Sequence, residues 1–593
     1  MVGGFRRWSW ILIALTLVLP TAATGQASEE IFPLSQIRPG MRGVGRTVIR
    51  GTRIEEFGFE VLGITQGPPG PLVLFRAFGP VIERSGGTAA GMSGSPMYIH
   101  GRIAGALSYG YVFAGPDQNL GLFTPIEKML EVLEGGRRAM APEGVVQLAQ
   151  PVRIADRTVD RIVVVPTVGA GHVVASRTGL PAFAPSSTPL VVSGLGPRGF
   201  RLLERAFQNL PVVPVQGYGG VARFPEGPLL PGASVGVALA RGDVNLVSFG
   251  TLTYRRGRQF LAFGHPMFGW GESDYMATTA YIHTVVRGIR MPFKEGDVGS
   301  VVGTISQDRA AGIGGEVGRI PRVFNVVVKV LDQDTTRSLQ FGTQMIRRPD
   351  LAQILVPLIA MSAIERAWDA FGGGTAEVKT TVRGGGLPRA LVRTNRVYSA
   401  RDLSAAAALD VVEAARILFH NEFIAVRPTD VTVEVALTRR PVIASIVEVR
   451  AESRAVPQGG KLRVRLRLRP YQEDEHLSRV VEIDIPKNFP KGPAVLVVGS
   501  AGSSRDLVDP ATLLMSRITS EPPPTRLDNL DQEIEFFEGF GRNTDVLLQL
   551  IPAGVPPSDD PTKRFIYFDE FAGRLVPTNW VIRGEVVIPI VVE

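Results

Sequence analysis

Cysteine is absent from the 593 residues, which excludes disulfide staples and thiolate metal sites and leaves the fold to be held by its core alone. A chain of this length buries enough apolar surface to manage that. Histidine is scarce, at six. None stands with carboxylates at metal-ligand spacing, so no metal and no cofactor is expected. Charge of one sign is also lacking. The 64 basic residues face 56 acidic ones, scattered without a basic arm or nucleic-acid motif, so no nucleic-acid partner is expected. Past the N-terminus no segment reads as a membrane span. The nearest, "LAQILVPLIAMSAIERAW" from Leu351, carries Gln353, Pro357, Glu365 and Arg366 and reads as a buried amphipathic helix.

What the chain has in quantity is glycine (67) and proline (45), which favour short strands and many turns over long helices. Its first residues have the pattern of a secretory signal: arginines in "FRRWSW", a short apolar core in "WILIALTLVLP", and small residues in "TAATGQA". Cleavage is expected near Ala23 or Ala27, giving a mature chain in the periplasm or outside the cell. The rest divides by pattern into a β-rich lobe at 28–140, a second at 141–340, a helix-containing segment at 341–437 and a β-sandwich at 438–593. In the last of these, "KLRVRLRLRPY" from Lys461 alternates strictly, with Leu462, Val464, Leu466 and Leu468 on one face and arginines on the other. That is the pattern of a half-buried strand, and its basic face reads as solvated rather than as a polyanion stripe.

The chemistry-bearing stretch is "GMSGSPMYIHGRIAGALSYGY" from Gly91. Nucleophilic catalysis by serine needs a hydroxyl on a tight turn, a base within reach, and backbone N–H groups aimed at the developing oxyanion. Gly91 and Gly94 free the backbone for such a turn around Ser93, and the apolar runs after Pro96 supply a strand pair to hold it. A second block, "FGTLTYRRGRQFLAFGHPMFGWGESD" from Phe249, places His265 after a strand. The nearer His100 is expected at the hairpin turn, carried away from Ser93 by an extended run.

The first block, with its lead-in "SGGTAA", resembles the nucleophile loop of the SpoIVB sporulation serine peptidase family, which is chymotrypsin-like. The second resembles that family's Gly-His segment, and "VGTISQDRAAGIGGEVG" from Val302 resembles the glycine-rich stretch after it. The resemblance covers about 85–135 and 228–320. It implies a mainly β fold with a trypsin-like double-barrel core and an exported serine endopeptidase acting on a protein or peptide. It also implies Ser93 as nucleophile, His265 as base, and the N–H groups of Gly91 and Ser93 as the oxyanion hole. Two departures stand against it. The histidine block follows the serine block here and precedes it in the family, as in a circular permutation; triads are defined by geometry and not by chain order. The family's aspartate, fifteen residues before the serine, is Phe78 here. Asp274, Asp297 or Glu83 could replace it, or the site is a Ser-His dyad. The other reading is a non-catalytic periplasmic or surface scaffold that retains the barrel.

Overall fold

Strict alternation in the first long strand sets the architecture. Along "EEFGFEVLGIT", Phe57, Phe59 and Val61 point to one side and are buried, while their neighbours are partly exposed, the period of two that a curved sheet around a core requires. The computed structural model describes residues 29–593 apart from 68, 113–116, 136–143, 155–156, 166–167, 187–188, 218–223, 288–291, 369–371, 503–508, 521–526 and 559–560. The expected signal segment, 1–27, lies outside the described residues. Strand accounts for 50% of the chain and helix for 19%, so the fold is mainly β.

Six strands close into a barrel: β1 (Arg42–Thr47), β2 (Glu55–Gly67), β3 (Gly70–Phe78), β4 (Pro96–Ile99), β5 (Arg102–Tyr111) and β6 (Leu120–Pro125). The pairing runs β4-β1-β2-β3-β6-β5 and back to β4, antiparallel throughout. Phe59, Phe75 and Phe123 fill it, with ring centroids about 6 Å apart. A short helix, α1 (Pro80–Ser85), leads from β3 towards the serine block, and α2 (Ile126–Leu133) follows β6.

The sheets divide the chain elsewhere than the sequence pattern does. Strands β7 (Gly144–Ile154), β8 (Arg157–Val164) and β9 (Ala182–Pro185), with α3 (Val168–Thr178) between the last two, extend the first sheet through β5–β9 pairing. The first sheet keeps the chain through Pro185 and the second takes it up at Leu190, well after 140. There β10 (Leu190–Ser193), α4 (Pro197–Ala206) and β11 (Pro214–Gln216) lie beside a second closed ring. Its strands are β12 (Ser234–Gly242), β13 (Asn245–Arg256), β14 (Gln259–Ala262), β15 (Gly271–Val286), β16 (Phe293–Arg309) and β17 (Gly312–Val317). They pair in the order β12-β13-β14-β17-β16-β15 and back to β12, again antiparallel.

Past this ring β12 also pairs with β19 (Ser338–Ile346), which pairs with β18 (Val323–Asp332). The sheet continues through β22 (Arg427–Thr438), β20 (Gly374–Gly385) and β21 (Leu391–Ser399). Helices α5 (Pro349–Trp368) and α6 (Leu403–Phe419) cover it. Helix α5 is buried on nearly every side between sheet and helices, so it is apolar all round and not amphipathic. Beyond 438 a four-stranded and a five-stranded sheet share one core, in which Leu462, Val464, Leu466 and Leu468 meet Leu496, Val498, Leu548 and Leu550. The arginines of the same strand face outward, where Arg463 and Arg467 pair with Glu452 and Glu448.

Candidate functional site

Between α1 and β4 the serine block is held by backbone bonds on both sides. The Ala90 N–H donates to the Pro292 carbonyl (2.7 Å) and Lys294 N–H donates back to Ala90 (2.9 Å), which ties the loop to the second barrel. The Met92 carbonyl accepts from both the N–H (2.9 Å) and the hydroxyl (2.6 Å) of Ser95. Gly94 N–H donates to Leu107 in the first barrel (2.7 Å), and Gly94 O accepts from the Thr253 hydroxyl in the second (2.7 Å). Gly94 has φ +90°, and a Cβ there would run into Thr251 O and Phe263 N. Glycine is therefore what lets the two barrels touch backbone to backbone at this point. Neither Gly91 N–H nor Ser93 N–H finds an acceptor among the described residues.

The histidine block follows β14. Phe263 takes φ +72°, an uncommon conformation for a bulky residue. It is fixed by burial of its ring against Gly250 and by the Thr124 hydroxyl, which donates to the next carbonyl, Gly264 O (2.7 Å). His265 Nδ1 lies 2.7 Å from Pro266 O. Because that oxygen can only accept, Nδ1 carries the proton and Nε2 is left as the lone-pair nitrogen. Nε2 is buried without a hydrogen-bond partner. Burial, only partly opposed by the Pro266 and Ser186 carbonyls, pulls the ring's pKa down to about 4.

The two blocks converge on Ser186, where the chain crosses from one sheet to the other. The Ser93 hydroxyl donates to the Ser186 carbonyl (3.1 Å), and the same carbonyl faces the His265 ring. No hydrogen bond joins Ser93 to His265 Nε2 in this conformation. Both side chains are enclosed, Ser93 at 0% and His265 at 2% exposure. His100 stands apart at the β4–β5 turn with φ +50°, its ring beside Phe32.

None of the three carboxylates considered for the third position is brought to His265. Asp274 pairs with Arg322 (2.6 Å), Asp297 with His283 (3.0 Å), and Glu83 is exposed on α1. The acid the sequence reading missed is Asp308, and it holds the loop rather than the ring. Fully buried, it accepts from the N–H groups of Met267 (2.9 Å), Phe268 (2.9 Å) and Gly269 (3.0 Å) and from the Tyr275 hydroxyl (2.8 Å). Burial pushes its carboxyl up against those four bonds. Its signal in the sequence was a lone acid within "VGTISQDRAAGIGG". Ser186 and the buried Lys294 gave no signal at all. Among the described residues no cluster of histidine and carboxylates could hold a metal ion.

Comparison with known proteins finds no matching family model, no matching curated protein and no matching solved structure.

Proposed function

We propose that this chain is an exported serine endopeptidase working through a Ser93–His265 pair. The observation that carries the reading is the convergence of a serine loop from one closed barrel and a histidine loop from the other on a single carbonyl, with His265 Nε2 left unpartnered. On a peptide, Ser93 Oγ attacks the scissile carbonyl carbon and His265 Nε2 takes the hydroxyl proton. The N–H groups of Gly91 and Ser93 receive the oxyanion. His265 then returns its proton to the leaving amine, and water releases the acyl group by the same steps. The Pro266 carbonyl takes the orienting part that a carboxylate plays in a triad, fixing the tautomer without adding charge. In the resting chain the Ser186 carbonyl accepts the Ser93 hydroxyl, so substrate must displace it to reach the pair.

That enclosure favours a second reading, a barrel kept as a non-catalytic binding module. A fluorophosphonate probe, which reacts only with activated serines, separates the two. Labelling of the full exported chain that vanishes in Ser93→Ala and His265→Ala, and largely survives in Ser95→Ala, supports the peptidase. Absence of labelling with and without added peptide leaves the binding module.

A further inference from the structure

Lys294, in β16, is a buried titratable group that the mechanism above does not use. Its side chain is 1% exposed, and its amine meets two hydroxyls, Thr47 Oγ1 at 3.0 Å and Thr251 Oγ1 at 3.2 Å. No carboxylate among the described residues pairs with it, and burial alone draws its pKa down to about 7. An unpaired buried lysine is costly to place, so what it touches matters.

It touches the nucleophile loop in three ways. Its backbone N–H is bonded to Ala90 O. Its aliphatic stem covers Gly91, where a Cβ would come within 3.0–3.1 Å of the stem's first three carbons. Its amine braces Thr251, whose hydroxyl donates on to Gly91 O (3.1 Å) and whose N–H donates to Ser93 O (2.8 Å). A peptide unit is planar, so turning a carbonyl turns the N–H of the next residue the opposite way. The Gly91 N–H shares its plane with Ala90 O, held by the Lys294 N–H, and the Ser93 N–H shares its plane with Met92 O, held by Ser95. Thr251 fixes the neighbouring planes through Gly91 O and Ser93 O, so every carbonyl of the turn is committed. The N–H groups of Gly91 and Ser93 are the donors left over.

We infer that Lys294 is a positioning residue for the oxyanion hole: through Thr251 it holds the Gly91–Ser93 turn so that its two spare N–H groups stay open to substrate. This rests on the Ser93 reading above.

The test is the kinetics of fluorophosphonate labelling on the full exported chain, resolved into the limiting rate at saturating probe and the concentration giving half of it. Lys294→Met and Thr251→Val are expected to lower the limiting rate about tenfold, less than the ~100-fold or more for deleting an oxyanion donor outright. The half-saturating concentration should not change. Thr251→Ser, which restores the hydroxyl, should recover the rate to within about twofold of the parent, a rescue that a plain packing role would not give. If Lys294→Met folds poorly by circular dichroism, the Thr251 pair carries the test. A parent-like limiting rate in Lys294→Met or Thr251→Val, while Ser93→Ala abolishes labelling, overturns the positioning role and leaves the peptidase standing. A parent chain that never labels overturns both.

Discussion

His265 and Lys294 are two bases buried without an opposite charge, and each leaves a mark on how stability depends on pH. In the folded chain His265 takes up its proton only near about pH 4, against 6.5 for a free histidine. Between those values the unfolded chain binds more protons, so stability rises with pH there, and what the neutral ring contributes is lost as pH falls from 6.5 towards 4. Lys294 acts in a second window by the same sign. Its folded value of about 7 lies below the usual 10.5, so stability rises from pH 7 towards 10.5 as the unfolded chain gives up its extra proton. Melting temperatures of the parent, His265→Gln and Lys294→Met against pH should show the lower slope flattened in the first variant and the upper slope flattened in the second. Unchanged slopes would mean that water reaches these groups. Neither window could be foreseen from sequence. The blocks around Ser93 and His265 announce a tight turn and a strand end, but burial depends on the opposite barrel.

At the scale of the element, the loop after β14 is shaped by one carboxylate. Asp308 accepts three consecutive N–H groups and a tyrosine hydroxyl. An asparagine in its place would offer one carbonyl oxygen and turn an NH2 group against donors. Asp308→Asn is expected to cost about 2–3 kcal/mol, from buried donors left unpaired. It should also slow probe labelling by about tenfold or more, because His265 sits at the start of that loop. Urea midpoints and labelling rates measure the two effects, and parent-like labelling would show that the loop keeps its shape without the carboxylate. Elements were legible where local pattern decides them. The alternation from Leu462 to Leu468 forecast a strand with one buried face, and that face is buried. Helix α5 was legible as a buried helix but not as one apolar all round, because its charged residues, Asp350, Glu365 and Arg366, fall near its two ends and leave no polar face between them. The return of β7–β9 to the first sheet was not legible either. It depends on pairing between Tyr109–Tyr111 and Phe183–Pro185, and non-local pairing leaves no periodic trace.

Across the whole molecule, the sandwich beyond 438 has its own core, but its helices do not keep to it. From α7 (Pro510–Thr519), Leu514 and Ile518 join the core around α5 and α6, as do Ile534 and Phe537 from α8 (Leu530–Gly539). Buried Arg393 of β21 bonds to Asp410 (3.2 Å) and to the carbonyls of Phe537 and Phe540 (both 3.0 Å). Gln353 of α5 donates to Arg517 O and Ser520 O. A 438–593 fragment is therefore expected to fold as a sandwich while α7 and α8, stripped of their cover, lose amide protection. Hydrogen exchange on the fragment and on the full chain makes the comparison, and equal protection of the helices in both would show them independent of α5 and α6. Strand β12 joins regions of a different kind. Its residues 235–238 close the histidine barrel against β15, and its residues 240–242 pair with β19 in the open sheet. The barrel thus has no seam along which it could part from that sheet. Fraying that starts at β19 runs directly into the ring that carries His265, so this half of the protein is expected to melt as one cooperative unit.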